Sequence, residues 1–563
     1  MDPLTPSPAG IEAERLSYDR PTHRTQLARV HEHLSQRIDD LASLPAHATK
    51  DAIERGLGKS ERELPAQGRG LEGTATTTHL LEDIVPGLMP GQAGPRCFGL
   101  VIGGVTPAAQ IADQLVGAYD PCVQVHWPES TLSVAIEART LSYLLQLLSL
   151  PSSAFTQNTL TTGATASNVL GLALGRDFSI ASIKSAQGHP GWSVSEDGMG
   201  GVEVDVFVVD AHASVRKAAA LTGLGRKSVV ECGREGESGL FDLGVLEERL
   251  RRNWEVGRGS IVSVSFGEVN TGYISPQTPS LRTLCNTYHT WLHLDAAFSA
   301  FATLSPLFAH YTPHLALADS ITSDAHKWLN VGYDCGLFFS RRRRVTAGEG
   351  GGEVGLWEVT GPGKAGGPAY LAPTAASKKE SEGEVDYPLI EESKGLPSPL
   401  FMGIENSRRF RALPLYASLI SLGSSGYTSL IQRNILFAHR LSSFLSSHPG
   451  YKLLTPPSAP LTLESVEEDP WAYRTSNILL FALSLDPQHT PTRFLSHPDP
   501  NALLLTDLNK NGRTFWTGTV WRGERAVRCA VSNWMTGWEW EEGEGEGREL
   551  EEVKEVLEGV VRM

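Results

Sequence analysis

The segment DAHKWLN (324–330) sets Lys327 between His326 and Trp328, at the close of the β-branched run SITSDAH (320–326). A lysine at a strand end, partly desolvated by such neighbours, is an amine whose neutral form becomes available to attack a carbonyl. Upstream, Asp295 closes the apolar part of WLHLDAAFSA (291–300). A carboxylate after an apolar strand is costly unless a cation meets it. His212 follows another strand-like run in VFVVDAHASVRKAAALTG (206–223), where an imidazole can stack on a flat ring and relay protons near neutral pH. Earlier still, TLTTGATASNVLGLALGR (159–176) opens a helix at Gly163, Ala164 and Thr165. Backbone N–H groups at such a turn, with the positive end of the helix dipole, favour an anion such as phosphate.

An amine, an acid, a flat partner and a phosphate cradle are the parts that hold a carbonyl-bearing pyridine cofactor. Each has a plainer meaning when taken singly. A histidine beside a lysine is usually structural, Asp295 could be a helix N-cap, a Gly-rich turn caps helices without any ligand, and His212 could be a satisfied core residue. Their order changes the balance, because the four features stand in sequence at successive strand ends.

The elements that must position them are short runs alternating with helical patterns between about 96 and 340. Strand candidates are VEVDVFVVD (202–210), SIVSVSFG (260–267), WLHLDAA (291–297) and SITSDAH (320–326), with helices expected over 133–149, 166–176 and 243–252. Alternation of this kind predicts an α/β fold with a mostly parallel sheet covered on both faces, whose ligands gather at the carboxyl ends of the strands. At 563 residues the chain is long enough for two or three packed units. We expect an N-terminal helical arm (1–95), a large domain (96–420) interrupted by a mobile low-complexity insertion (about 341–400), and a smaller C-terminal domain (421–563) with an acidic tail. The run Arg341 to Arg344 reads as a solvated loop. Strands of the smaller unit are expected in SNILLFAL (476–483) and AVRCAVSN (526–533), and a terminal amphipathic helix follows the acidic stretch.

The formal net charge of −15 argues against nucleic acid or an anionic membrane as the main partner. No run of 18 apolar residues occurs, the first residues lack the pattern of a secretory signal, and the six cysteines form no CxxC pair. These features predict a cytoplasmic protein with reduced thiols and no metal centre.

The motifs TTGATASN, DAHASVRKA, HLDAAFSA, SDAHKWLNVGYDCG and GIENSRRFRAL together resemble those of the group II pyridoxal-phosphate-dependent amino-acid decarboxylases, which include the glutamate, aromatic, histidine and tyrosine decarboxylases. The resemblance covers roughly 96–535. It implies the type I pyridoxal-phosphate fold of aspartate aminotransferase, with a smaller C-terminal α+β domain, and a homodimer with the active site at the subunit interface. It also implies a Schiff base between Lys327 and pyridoxal 5'-phosphate, Asp295 on the pyridine nitrogen, and His212 stacked on the ring. Gly163, Ala164, Thr165 and His326 would contact the phosphate, and Ala297 would line the ring. The implied reaction is loss of the α-carboxylate from an aromatic or acidic L-amino acid, giving an amine and carbon dioxide.

Two departures bear on that implication. Gly267, Glu268 and Val269 stand where many relatives have Gly-Thr-Thr, so Glu268 either meets the cofactor or a cationic substrate, or points away. Pro399 falls, by ungapped counting, where animal aromatic decarboxylases carry a proton-donating tyrosine; Tyr370 and Tyr387 are the substitutes at hand. The two departures also raise an aldehyde synthase as an alternative, and a non-catalytic member of the family is a further one. Gln124, His126 and Trp127 are candidates for the pocket wall, Trp127 equally for plain core. Arg408 and Arg409 are expected to anchor the loop or the dimer, or to lie at the surface.

Overall fold

The computed structural model describes residues 19–60, 73–234, 236–348, 350–363, 366, 388–510, 512–538 and 547–562. Its centre is a sheet of β1 (Gln157–Thr161), β2 (Val204–Val208), β3 (Val229–Glu231), β4 (Gly259–Ser265), β5 (Trp291–Asp295), β6 (Ser320–Asp324) and β7 (Gly336–Ser340). The spatial order is β1-β7-β6-β5-β4-β2-β3. Strands β2 to β6 pair in parallel, whereas β7 runs antiparallel to both β6 and β1. Every residue of β5 and β6 is buried, as expected of strands covered on both faces. The helix Ala164–Ala186 crosses β4 to β7 and packs on the helix Ala213–Leu221.

This topology brings the carboxyl ends of β1, β2, β4, β5 and β6 to one edge, where the oppositely directed β7 begins at Gly336. A Cβ on Gly336 would lie 2.4 Å from Thr161 Oγ1 and 2.5 Å from the Gly163 Cα. Its bare backbone therefore lets the Gly163 turn close down on β7.

A second, antiparallel sheet orders the strands Tyr451–Leu453, Ile478–Leu483, Glu524–Ala530 and Thr517–Trp521. The amphipathic terminal helix Arg548–Arg562 packs Leu550, Val553 and Leu557 into its core. The helix Ala412–Ser447 passes from one core to the other, contributing Leu415, Tyr427 and Ile431 to the first and Phe437, Leu441 and Leu445 to the second. It is broken at Gly423, whose φ of 61° suits glycine, close to the expected division at 420. The helices Arg20–Asp40, Lys50–Lys59 and Gly73–His79 precede the first strand in the chain.

The stretch after β7 corrects an expectation. Arg342 and Arg344 are exposed as expected, but Arg341 donates to the Ala318 carbonyl at 2.9 Å and lies 4.7 Å over the Phe155 ring. Arg343 pairs with the buried Asp319 and covers Phe178. Val345, Val354 and Leu356 are buried, so the first part of the expected mobile insertion is packed structure. The run reads as solvated because sequence does not reveal that Asp319, fully buried before β6, draws both Arg343 and Arg282 inward. Residues 367–387 lie outside the described residues.

Candidate active site

A cavity of about 270 Å³ opens at the shared edge of the sheet. It is lined by Gly163, Ala164, Thr165, His212, Asp295, Ala297, His326 and Lys327, so the structure brings all eight sequence-predicted residues together. They come from four strand ends or the turns that follow them. Asp295 closes β5, His212 follows β2 and caps the helix Ala213–Leu221, and Gly163 caps the helix Ala164–Ala186 after β1.

Lys327 lies in a single helical turn after β6, and its Nζ is 3.2 Å from Asp324 Oδ2. Sequence reading assigned its setting to His326 and Trp328. Trp328 instead points into the core, where Nε1 donates to Asn434 Oδ1 at 2.9 Å. The nearer partner, Asp324, was missed; an acid three residues before a lysine on a helical turn is the signal that would have found it. Asp324 is 2% exposed, and its Oδ1 accepts the Ala164 N–H at 2.7 Å, so it caps the helix from a distance. Burial raises its carboxyl above the usual range, against the lowering influence of Lys327 and His326. His326 Nδ1 donates to the Cys335 carbonyl at 3.2 Å, which leaves Nε2 as the acceptor, 3.7 Å from Asp324 Oδ2. Burial lowers the His326 value, against the raising influence of Asp324.

Asp295 is not a helix cap. Its Oδ2 accepts from Asn168 Nδ2 at 2.8 Å. The Asn168 amide also donates to Ser214 Oγ at 3.0 Å, and its Oδ1 accepts from His293 Nε2 at 2.9 Å. His293 Nδ1 meets Ser320 Oγ at 2.8 Å. This chain of buried groups orients the acid; a Cβ at Gly171 would lie 2.3 Å from His293 Cε1, so glycine is required beside it. Burial pushes His293 down to about 4. His212 Nδ1 accepts the Ser214 N–H at 3.2 Å, which leaves the proton on Nε2, and burial lowers its value too. Asn168 and Ser214 were overlooked although both stand inside quoted motifs.

Other expectations fall elsewhere. Gln124, His126 and Trp127 do not line the cavity: His126 is held by the Ser393 carbonyl at 2.7 Å, and Trp127 is 41% exposed, so it is not core. Pro399 is buried in a short turn away from the cavity, while Tyr370 and Tyr387 lie outside the described residues. Glu268 points away from the cavity, and its oxygens accept from the N–H and side chains of Asn270 and Thr271 at 2.8–2.9 Å. Arg408 forms a buried two-pronged pair with Glu137, and Arg409 a half-exposed one with Asp113. The Glu137 pair excludes a surface role for Arg408.

A cradle of helix-terminal amides, an oriented acid, a neutral imidazole and a lysine around one cavity fit pyridoxal phosphate, and on this sheet they define a fold type I pyridoxal-phosphate enzyme. Residues 70–349 match the pyridoxal-dependent decarboxylase conserved domain. The chain belongs to that family and is a pyridoxal-phosphate-dependent amino-acid carboxy-lyase. Over 358 residues it is 27% identical to L-2,4-diaminobutyrate decarboxylase of Acinetobacter baumannii, the match spanning 62% of each protein. It is 23% identical to tryptophan decarboxylase TDC1 of Camptotheca acuminata over 81% of this chain and 80% of that one. The aromatic-L-amino-acid decarboxylase of Sus scrofa is 24% identical over 67% of this chain and 72% of its own. Among solved structures, the fold is similar to Oryza sativa TDC with PLP and tryptamine (TM-score 0.72, 19% identity, 97% of this chain and 98% of that one). It is also similar to Rhodiola rosea 4-hydroxyphenylacetaldehyde synthase (TM-score 0.69, 19% identity, 97% and 99%).

Proposed function

We propose that this chain decarboxylates an aromatic L-amino acid, with Lys327 as the amine that holds the cofactor. The supporting observation is the convergence of Lys327, Asp295, His212 and the Gly163 turn on one cavity. When bound, pyridoxal phosphate supplies the electron sink for the pair left behind by the departing carboxylate. Asp295, oriented by Asn168, would meet the pyridine nitrogen and favour its protonated form. His212 offers a neutral ring to stack, with its proton on Nε2. Gly163, Ala164, Thr165 and His326 line the cavity at the helix N-terminus, where they would meet the phosphate, and the small Ala297 would leave room for the ring.

The substrate class follows from the walls. Val101, Val269 and Phe298 are apolar, and no arginine appears among the described lining residues to pair a second carboxylate. That favours an aromatic over an acidic side chain, as do the tryptophan and aromatic decarboxylases among the relatives. Glu268, satisfied by its own turn, gives no support to the aldehyde-synthase reading. A homodimer is supported by the apolar Ile111, Leu115 and Tyr119 exposed on one helix, and by the helix Arg20–Asp40, which buries no residue within the single chain. Cytoplasmic residence is supported by six free cysteines, five of them buried.

Purified protein incubated with the proteinogenic L-amino acids and 2,4-diaminobutyrate, followed for carbon dioxide, amine, ammonia and peroxide together, tests this. Carbon dioxide and amine from aromatic substrates alone are expected. Turnover confined to acidic or diamino substrates overturns the substrate class, and stoichiometric ammonia and peroxide would mark an aldehyde synthase.

A further inference from the structure

The Asp324 carboxylate already holds two groups assigned above to the cofactor, the Ala164 amide and the Lys327 amine. Its Oδ1 takes the Ala164 N–H, the first amide of the helix aimed at the phosphate, and its Oδ2 lies 3.2 Å from the Lys327 amine. Resting on the cofactor reading above, we propose that Asp324 is the resident anion of the empty site and the acceptor of the Lys327 proton when pyridoxal phosphate enters. Without cofactor, the carboxylate holds both the helix terminus and the lysine as ammonium. A phosphate brought to the same amide would face this carboxylate in a buried setting, where like charges repel strongly. One proton transfer relieves both problems. The ammonium gives its proton to Asp324 Oδ2, leaving a neutral carboxylic acid beside the phosphate and a neutral amine. The amine nitrogen then bonds to the aldehyde carbon, whose oxygen leaves as water, and no external acid or base is consumed.

The surroundings suit a neutral Asp324. The titratable groups facing it are Lys327 and His326 on its own turn, His212 across the cavity, and Tyr333 and Cys335 on the segment leading into β7. Burial disfavours its charged form, and His326 Nε2, left as an acceptor by the Cys335 carbonyl, stands 3.7 Å from the oxygen that would carry the proton.

The test is titration calorimetry of cofactor-free protein with pyridoxal phosphate, and separately with pyridoxal, in buffers of different ionisation enthalpy. This counts protons exchanged per site without reference to turnover. In Asp324→Asn the lysine proton has no internal acceptor, so about one more proton per site is released than in the wild type. The variant also gains affinity for pyridoxal phosphate, by about tenfold relative to its change for pyridoxal, the size of one like-charge contact removed. In Lys327→Met the donor is gone while Asp324 remains, so binding draws about one proton from solvent. Equal proton counts in wild type and both variants, or weaker phosphate-dependent binding in Asp324→Asn, overturn the proposal. A wild-type protein that shows no borohydride-reducible absorbance with pyridoxal phosphate would instead overturn the role given to Lys327.

Discussion

Asn168 does not itself line the cavity, yet replacing it should be felt there. Asn168→Ala removes the 2.8 Å bond to the Asp295 carboxylate, the 3.0 Å bond to Ser214 and the 2.9 Å bond from His293, all in the buried interior. A bond to a charged acceptor contributes about 1.5–3 kcal/mol and each neutral one about 1, so the folded state should lose about 4 kcal/mol. About half of this belongs to Asp295. A carboxylate no longer held in one rotamer must be ordered again when the pyridine nitrogen arrives, which weakens pyridoxal phosphate binding by roughly 30-fold. Urea unfolding followed by tryptophan fluorescence measures the first effect, and absorbance titration of the cofactor-free protein the second. The refuting outcome is a variant whose urea midpoint matches the wild type, or whose cofactor affinity lies within a factor of about three of it.

Further outcomes are expected at two other buried groups. His293, pushed down to about 4 by burial, binds its proton less readily folded than unfolded. Its contribution is therefore present above pH 6.5 and lost as pH falls towards 4, about 3 kcal/mol in all, and the pH dependence of urea unfolding should flatten over that window in His293→Gln. Glu268→Gln should lower stability by about 2–3 kcal/mol, because one of the Asn270 and Thr271 donors then faces an amide NH2. The ranking of substrates by kcat/KM should stay unchanged; a changed ranking would return Glu268 to the substrate pocket.

Four of the five parallel strands were legible, because β2, β4, β5 and β6 carry runs of buried β-branched or apolar residues, whereas the three-residue β3 was not. Strand β1, QNTLT, was not, since its polar residues meet partners distant in sequence: Gln157 meets the turn at Leu356 and Trp357, and Asn158 accepts the Ser340 N–H. The site residues were legible because each stands just after a strand, where backbone topology alone fixes the position. Residues acting through one another were not. Nothing local marks Asn168 as a partner of Asp295, since their contact spans 127 positions. The pocket-wall candidates failed for the converse reason: proximity in sequence to a motif says little about which face of a loop a side chain takes, and His126 turned to the Ser393 carbonyl.

The helix Ala412–Ser447 gives side chains to two cores, and the first core draws on residues both before and after its break at Gly423, such as Leu415 and Tyr427. Cutting the chain there would open an apolar wound in both halves at once, so neither is expected to survive as an autonomous fragment. The parts that differ in architecture should melt in a single cooperative transition.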